Sequence, residues 1–202
     1  MPQPSPCEPS RSTARRLSLS VCLLFMMTAQ ASEAPTLKAG VFNPPREAPD
    51  FSVRGSDGAE LTLKRFRGKV VVLGFGYTHC ADVCPVTLAV LASAQRKLGT
   101  LGSQVQVLYL TVDPERDDPE RLKQFLAAFD PTFIGGTGTV EQMAGVRKSY
   151  GVTAERHGSG ADYGVAHSSF VYLITPDGKL RALMPYGHKA DDFVHDISVL
   201  LN

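Results

Sequence analysis

The chain has 202 residues, 43% of them apolar, and carries 21 basic against 20 acidic residues for a formal net charge of +1. A chain of this size and apolar content builds one folded domain with a real core. Charges of both signs are interspersed, so there is no basic stripe to hold a phosphate backbone, and nucleic acid is excluded as a partner.

Arg11, Arg15 and Arg16 precede a short apolar run from Leu17 to Ala29, which ends in Ala29-Gln30-Ala31. Basic residues, an apolar stretch too short for a membrane span, and a small-x-small end are the order of an export leader. Residues 1–31 are therefore expected to be a signal peptide, with the mature chain starting near Ser32. The alternative is an uncleaved leader that tethers the protein to the membrane through Leu19 to Met27. Val21 stands where a lipid-attachment motif needs a small residue, so Cys22 is not read as a lipid anchor. Either way the domain is exported, and the periplasm is the expected compartment.

Residues 32–49 are rich in Pro, Ala and Glu without periodicity, which predicts a flexible linker. The folded domain is expected over 50–202. Phe51 and Val53, the turn at Gly55 to Gly58, and Leu61 to Leu63 predict an N-terminal hairpin. Val70 to Phe75 is a continuous apolar run, the mark of a strand buried on both faces. Pro85, with Leu88, Leu91 and Leu98 on one stripe and Gly99 behind, predicts a helix. A second buried strand follows at Val105 to Val112, then helices over Pro119 to Phe129 and Val140 to Tyr150. Phe170 to Ile174, the turn Pro176-Asp177-Gly178 and Leu180 to Met184 predict a closing hairpin, and Asp191 to Leu201 a last helix. This alternation gives an α/β three-layer sandwich with a central mixed sheet.

Removing the leader takes Cys7 and Cys22 with it and leaves Cys80 and Cys84. They lie in Gly-Tyr-Thr-His-Cys-Ala-Asp-Val-Cys-Pro, between a buried strand and a helix start. Free N–H groups and the helix dipole favour a thiolate there, which predicts nucleophilic, metal-competent sulfurs. A purely structural disulfide would close so small a loop that it stabilises little. Strand, cysteine pair, helix is the thioredoxin arrangement, but three residues separate the cysteines here instead of two. The wider pair suits two thiolates on one soft ion.

With these residues the segment resembles the Sco/SenC family of copper-handling, thioredoxin-fold proteins, whose motif is Cys-x-x-x-Cys-Pro. The resemblance runs from about Asp50 to the C-terminus. It includes Asp113-Pro114-Glu115-Arg116-Asp117, Tyr150-Gly151-Val152, and Asp162-Tyr163-Gly164-Val165-Ala166-His167. It implies a third copper ligand at His167. Aligning the closing hairpin with that of a thioredoxin places the thioredoxin cis-proline at Ser169, two residues beyond His167, so the imidazole should face the cysteines. Cys80, Cys84 and His167 would bind one copper ion, as Cu(I) or Cu(II). The implied partners are a copper-acceptor subunit of cytochrome c oxidase, which carries its binuclear copper centre, and another copper donor; a monomer is expected. Two departures stand out. Ala81 replaces a frequent proline, and Ala166 replaces a frequent acidic residue that would orient the imidazole.

The alternative is an enzyme, a thiol-disulfide oxidoreductase that reduces the cysteines of a copper acceptor, with Cys80 attacking and Cys84 resolving. That chemistry does not require His167. A thiol peroxidase is weaker, because no peroxidatic surroundings are recognisable. Of the other histidines, His79 is weighed as a transient ligand but expected to point away from Cys80, and His157, His188 and His195 are read as ordinary surface side chains. Asp82 is read as a solvated loop carboxylate. Asp113 is read either as a support or docking group for the site or as a cap. The charged run from Glu115 to Arg121 is expected to be a solvated face.

Overall fold

A computed structural model describes residues 1–3, 36–160 and 162–202 of the chain. Apart from its first three residues, the expected leader lies outside the described residues. So does the start of the expected linker. Among the described residues no helix is long and apolar enough to cross a membrane.

The first element corrects the sequence reading. Within the segment expected to be a linker, Gly40–Glu47 is a strand, β1. It pairs antiparallel with Lys179–Pro185, and its register shifts between Val41 and Arg46, where Pro44 and Pro45 stand. Prolines without N–H groups are tolerated there because β1 is an edge strand, bonded on one side only. The residues just before it are fastened by Asp196, wholly buried, whose carboxylate accepts from the Lys38 and Ala39 N–H groups at 2.8 and 2.9 Å. Composition alone gave no sign of either partner.

Val53–Gly55 (β2) and Glu60–Leu61 (β3) form the expected hairpin. Val70–Gly76 (β4) is buried at every position, as its apolar run predicts for a central strand. Val83–Leu98 is helix α1, Val105–Thr111 strand β5, Pro119–Ala127 helix α2 and Ile134–Thr137 strand β6. Val140–Tyr150 is helix α3, opened by a capping box between Thr139 and Gln142 and closed by Gly151 at φ 70°. Ala154–His157 (β7) and Gly164–His167 (β8) follow, then Phe170–Ile174 (β9), Lys179–Pro185 (β10) and Ala190–Leu201 (α4).

The main sheet has eight strands in the order β1-β10-β9-β4-β5-β6-β2-β3, with β4, β5 and β6 parallel and the other pairings antiparallel. Helices α1 and α4 pack together on one face. On the other, Phe75 meets Tyr150 from the end of α3 and Tyr172 from β9, their ring centroids 5.2 to 5.9 Å apart. This is the thioredoxin-like three-layer sandwich with a mixed central sheet that the sequence implies. Strands β7 and β8 stand apart as their own two-stranded sheet.

Candidate metal centre

The cysteine side of the site is built into the core. Central strand β4 ends at Gly76, and a loop carries the chain through Cys80 into α1, whose second residue is Cys84. A Cβ on Gly76 would lie 2.8 Å from the Cys84 sulfur and would collide with the Tyr109 hydroxyl. Glycine here is a matter of close approach. The loop itself is held by Asp117, which is fully buried. Its carboxylate accepts from the Thr78 N–H at 3.0 Å, the Thr78 hydroxyl at 2.6 Å and the Thr111 hydroxyl at 2.7 Å. Asp117 sits inside the run expected to be a solvated charged face, so that expectation is corrected. Its partners come from two other elements, and no local pattern shows them.

Both cysteines are free thiols, Cys80 half-buried and Cys84 buried. The helix start was expected to make them thiolates. For Cys84 burial overrides it: desolvation pushes its thiol up to about 12, only partly offset by the Tyr109 hydroxyl and the Tyr77 backbone, while nearby Cys80 adds to the rise. Cys84 is therefore a protonated thiol until something takes its proton.

The histidine side is docked onto that core by side chains. The Tyr163 hydroxyl, just before β8, donates to buried Asp113 at 2.7 Å. The ring of Tyr163 lies between the Arg116 and Arg156 guanidinium groups, each 3.5 Å from its centroid. Arg116 also pairs with Asp113 through Nε. The Val165 N–H donates to the Tyr77 hydroxyl at 3.2 Å, and the Ser168 N–H to the Thr153 carbonyl at 3.1 Å. Asp113 thus serves neither as a surface docking group nor as a helix cap; it is a buried clamp for the hairpin that bears His167.

This docking brings His167 Nε2 to 3.4 Å from the Cys84 sulfur, across 83 residues of sequence. The other ring nitrogen, Nδ1, is 3.0 Å from the Ser168 carbonyl oxygen. A carbonyl only accepts, so the proton sits on Nδ1 and the Nε2 lone pair faces the sulfur. Burial lowers the pKa of His167, with the Ser168 carbonyl opposing in part, so the ring is neutral near pH 7. Tyr77 sets its edge against the ring, centroids 6.0 Å apart at 82°. The orienting contact that Ala166 cannot supply comes from the next carbonyl instead.

Cys84 and His167 are thus in contact, and Cys80 lies on the adjoining loop close enough to influence Cys84. Among the described residues no three His, Cys, Asp or Glu side chains stand together as a preformed metal cluster. The contact distance suits a thiol donating to imidazole. It also suits a shared ion, since bonds of about 2.3 Å to sulfur and about 2.0 Å to nitrogen at a tetrahedral angle separate the donors by about 3.5 Å. His79 is exposed and receives Arg121 Nη2 at 3.1 Å on the α2 side. His188 and His195 pair with Asp192 and Asp196 on α4, His157 is exposed, and Asp82 is exposed with no capping bond.

Residues 42–202 match the SCO1/SenC family. The mouse mitochondrial SCO2 homolog is 36% identical over 152 residues, 73% of this chain but 60% of the mouse protein; several other relatives are matched over about half their length. The structure of Bradyrhizobium japonicum ScoI with copper bound superposes with a TM-score of 0.72 at 31% identity, covering 77% of this chain and 99% of that one. BsSco, described as a Sco-family cytochrome c oxidase assembly protein with a disulfide switch, superposes at 0.63 with 27% identity, over 78% of this chain and 94% of its own.

Proposed function

The chain belongs to the SCO1/SenC family, and on that premise we propose that it is an exported copper chaperone. One copper ion is held by Cys80, Cys84 and His167 and delivered in the periplasm to the binuclear copper centre of a cytochrome c oxidase. The observation that carries this reading is the 3.4 Å approach of an unprotonated His167 Nε2 to the Cys84 sulfur. Two thiolates and one imidazole form a soft donor set that suits Cu(I) and retains Cu(II). The copper-bound relative supports the same choice of ion.

Loading releases protons, because the ligands must be thiolates and Cys84 enters as a thiol. Unloading proceeds by ligand exchange. An incoming thiolate of the acceptor displaces one donor at a time, and half-buried Cys80 is displaced before buried Cys84. Titration of the reduced protein with copper tests the proposal: about one equivalent is bound, and after oxidation to the Cys80–Cys84 disulfide essentially none. Equal uptake by both forms would remove the cysteines from the site.

A second reading, thiol-disulfide oxidoreductase, draws support from the disulfide switch described for BsSco. The Cys80 thiolate would attack an acceptor disulfide and release one acceptor thiolate. Cys84 would then attack the Cys80 sulfur and release the second, leaving this protein oxidised and the acceptor reduced. From the sequence alone this route has no need of His167. The imidazole lies against the resolving Cys84 as a neutral base, so loss of His167 slows exchange too. Copper binding, and not disulfide exchange, separates the two readings.

A further inference from the structure

Beneath the candidate site lies a group with no assigned role. Tyr109, in the middle of β5, is fully buried, and its hydroxyl makes no hydrogen bond of ordinary geometry among the described residues, although it lies close enough to the Cys84 sulfur to act on it. Buried hydroxyls are nearly always paired, so an orphan in the core calls for a reason. Its position supplies one. The ring lies along Gly74, where an added Cβ would be 3.3 Å from Cδ2, and the hydroxyl and the Cys84 sulfur crowd the same space above Gly76. Two strand residues without side chains leave room for a phenol that ends beside Cys84. Tyr109, Cys84 and His167 also line one cavity of about 10 Å³, room for a single water at most.

A neutral thiol is a weak acceptor, whereas a thiolate is a strong one. We infer that Tyr109 is a positioning residue for copper, its hydroxyl donating a hydrogen bond to the Cys84 sulfur once that sulfur is a metal-bound thiolate. The inference rests on the copper-binding reading. Such a bond draws electron density from the sulfur, which weakens its donation to Cu(II) and raises the Cu(II)/Cu(I) potential. It also stabilises the filled sulfur orbitals, so sulfur-to-Cu(II) charge transfer moves to higher energy.

Tyr109→Phe keeps the ring that fills the core and deletes only the hydroxyl. Wild-type and variant protein, reduced and loaded with Cu(II), are compared by absorption spectrum, copper stoichiometry and copper potential, and the metal-free forms by melting temperature. The expected result is one copper in each, a charge-transfer band shifted to lower energy and a lower copper potential in the variant. Its melting temperature should stay close to wild type, since the hydroxyl makes no hydrogen bond of ordinary geometry in the metal-free protein. Unchanged band and potential in a copper-loaded variant would overturn the inference while leaving the copper reading intact. A wild-type protein that shows no sulfur-to-copper band would overturn the copper reading and the inference with it. Resonance Raman of wild-type copper protein in H2O and D2O needs no variant: the copper–sulfur stretch should shift on deuteration, and an unshifted stretch would also overturn the inference.

Discussion

The two halves of the candidate site are held in different ways. Cys84 sits on a helix packed over the central strand β4, with the loop before it pinned by buried Asp117. His167 sits on a two-stranded hairpin outside the main sheet, attached through Tyr163, Tyr77 and two arginines. One half is part of the core, and the other is a docked arm held by a few polar contacts, two stacked arginines and the packing of Ala154 and Val165 against the core. The cysteine half should therefore withstand changes elsewhere, while the distance between the halves should respond to changes far from either ligand.

The largest effect is expected from Cys84→Ala, which removes the donor common to both contacts. Copper uptake by the reduced protein should become undetectable in titration, while the melting temperature changes little, because a small apolar side chain replaces a thiol of similar character. Retained one-to-one binding would show that the core half is not where copper sits. Next comes His167→Ala, which removes the ligand that the arm brings to Cys84. The Cu(II) charge-transfer band should disappear while Cu(I) is still held by two sulfurs. A preserved Cu(II) spectrum would mean that the arm contributes no ligand.

Tyr163→Phe tests the docking itself, since it leaves every ligand in place and removes the hydroxyl that donates to Asp113. Copper affinity should fall roughly 10-fold to 100-fold, the usual range for groups that orient a metal ligand. Stability should fall by about 1–3 kcal/mol, because a buried carboxylate oxygen loses its partner. Unchanged affinity would show that the remaining contacts place the hairpin without this bond.

The smallest expected effect is a difference in thiol reactivity within the core half. Iodoacetamide should modify half-buried Cys80 before buried Cys84, read by mass spectrometry of the reduced protein. Because the folded Cys84 thiol is raised to about 12, above the ordinary value of 9.0, the unfolded chain loses this proton first as pH rises. The contribution of Cys84 to stability is complete below about pH 9 and is lost as pH climbs toward 12. Its alkylation rate should climb over the same window. Alkylation of Cys84 that levels off near pH 9 would contradict its burial.

This contrast also explains what the sequence made legible. Strands β4, β5 and β9 and helices α1, α3 and α4 follow from runs and stripes that each segment carries within itself. Val140–Tyr150 and Phe170–Ile174 fall where the periodicity predicts. The cysteine loop was equally local. His167 came from the family resemblance and from aligning a distant turn, since no short-range pattern marks a lone histidine. Asp117, Tyr109 and Tyr163 were missed for one reason: each takes its meaning from a residue far along the chain, Asp117 from Thr78, Tyr163 from Asp113 and Tyr109 from Cys84. Strand β1 was missed because its order comes from β10 and Asp196, and its own two prolines argue against it.

The central claim is that the docked arm and the core half close on the same ion. X-ray absorption at the copper edge, on reduced protein loaded with one equivalent, measures this most directly. The account predicts two sulfur scatterers and one imidazole around each copper, with the imidazole signature absent in His167→Ala. A copper environment with sulfur alone, or one whose imidazole signal survives that substitution, would contradict it.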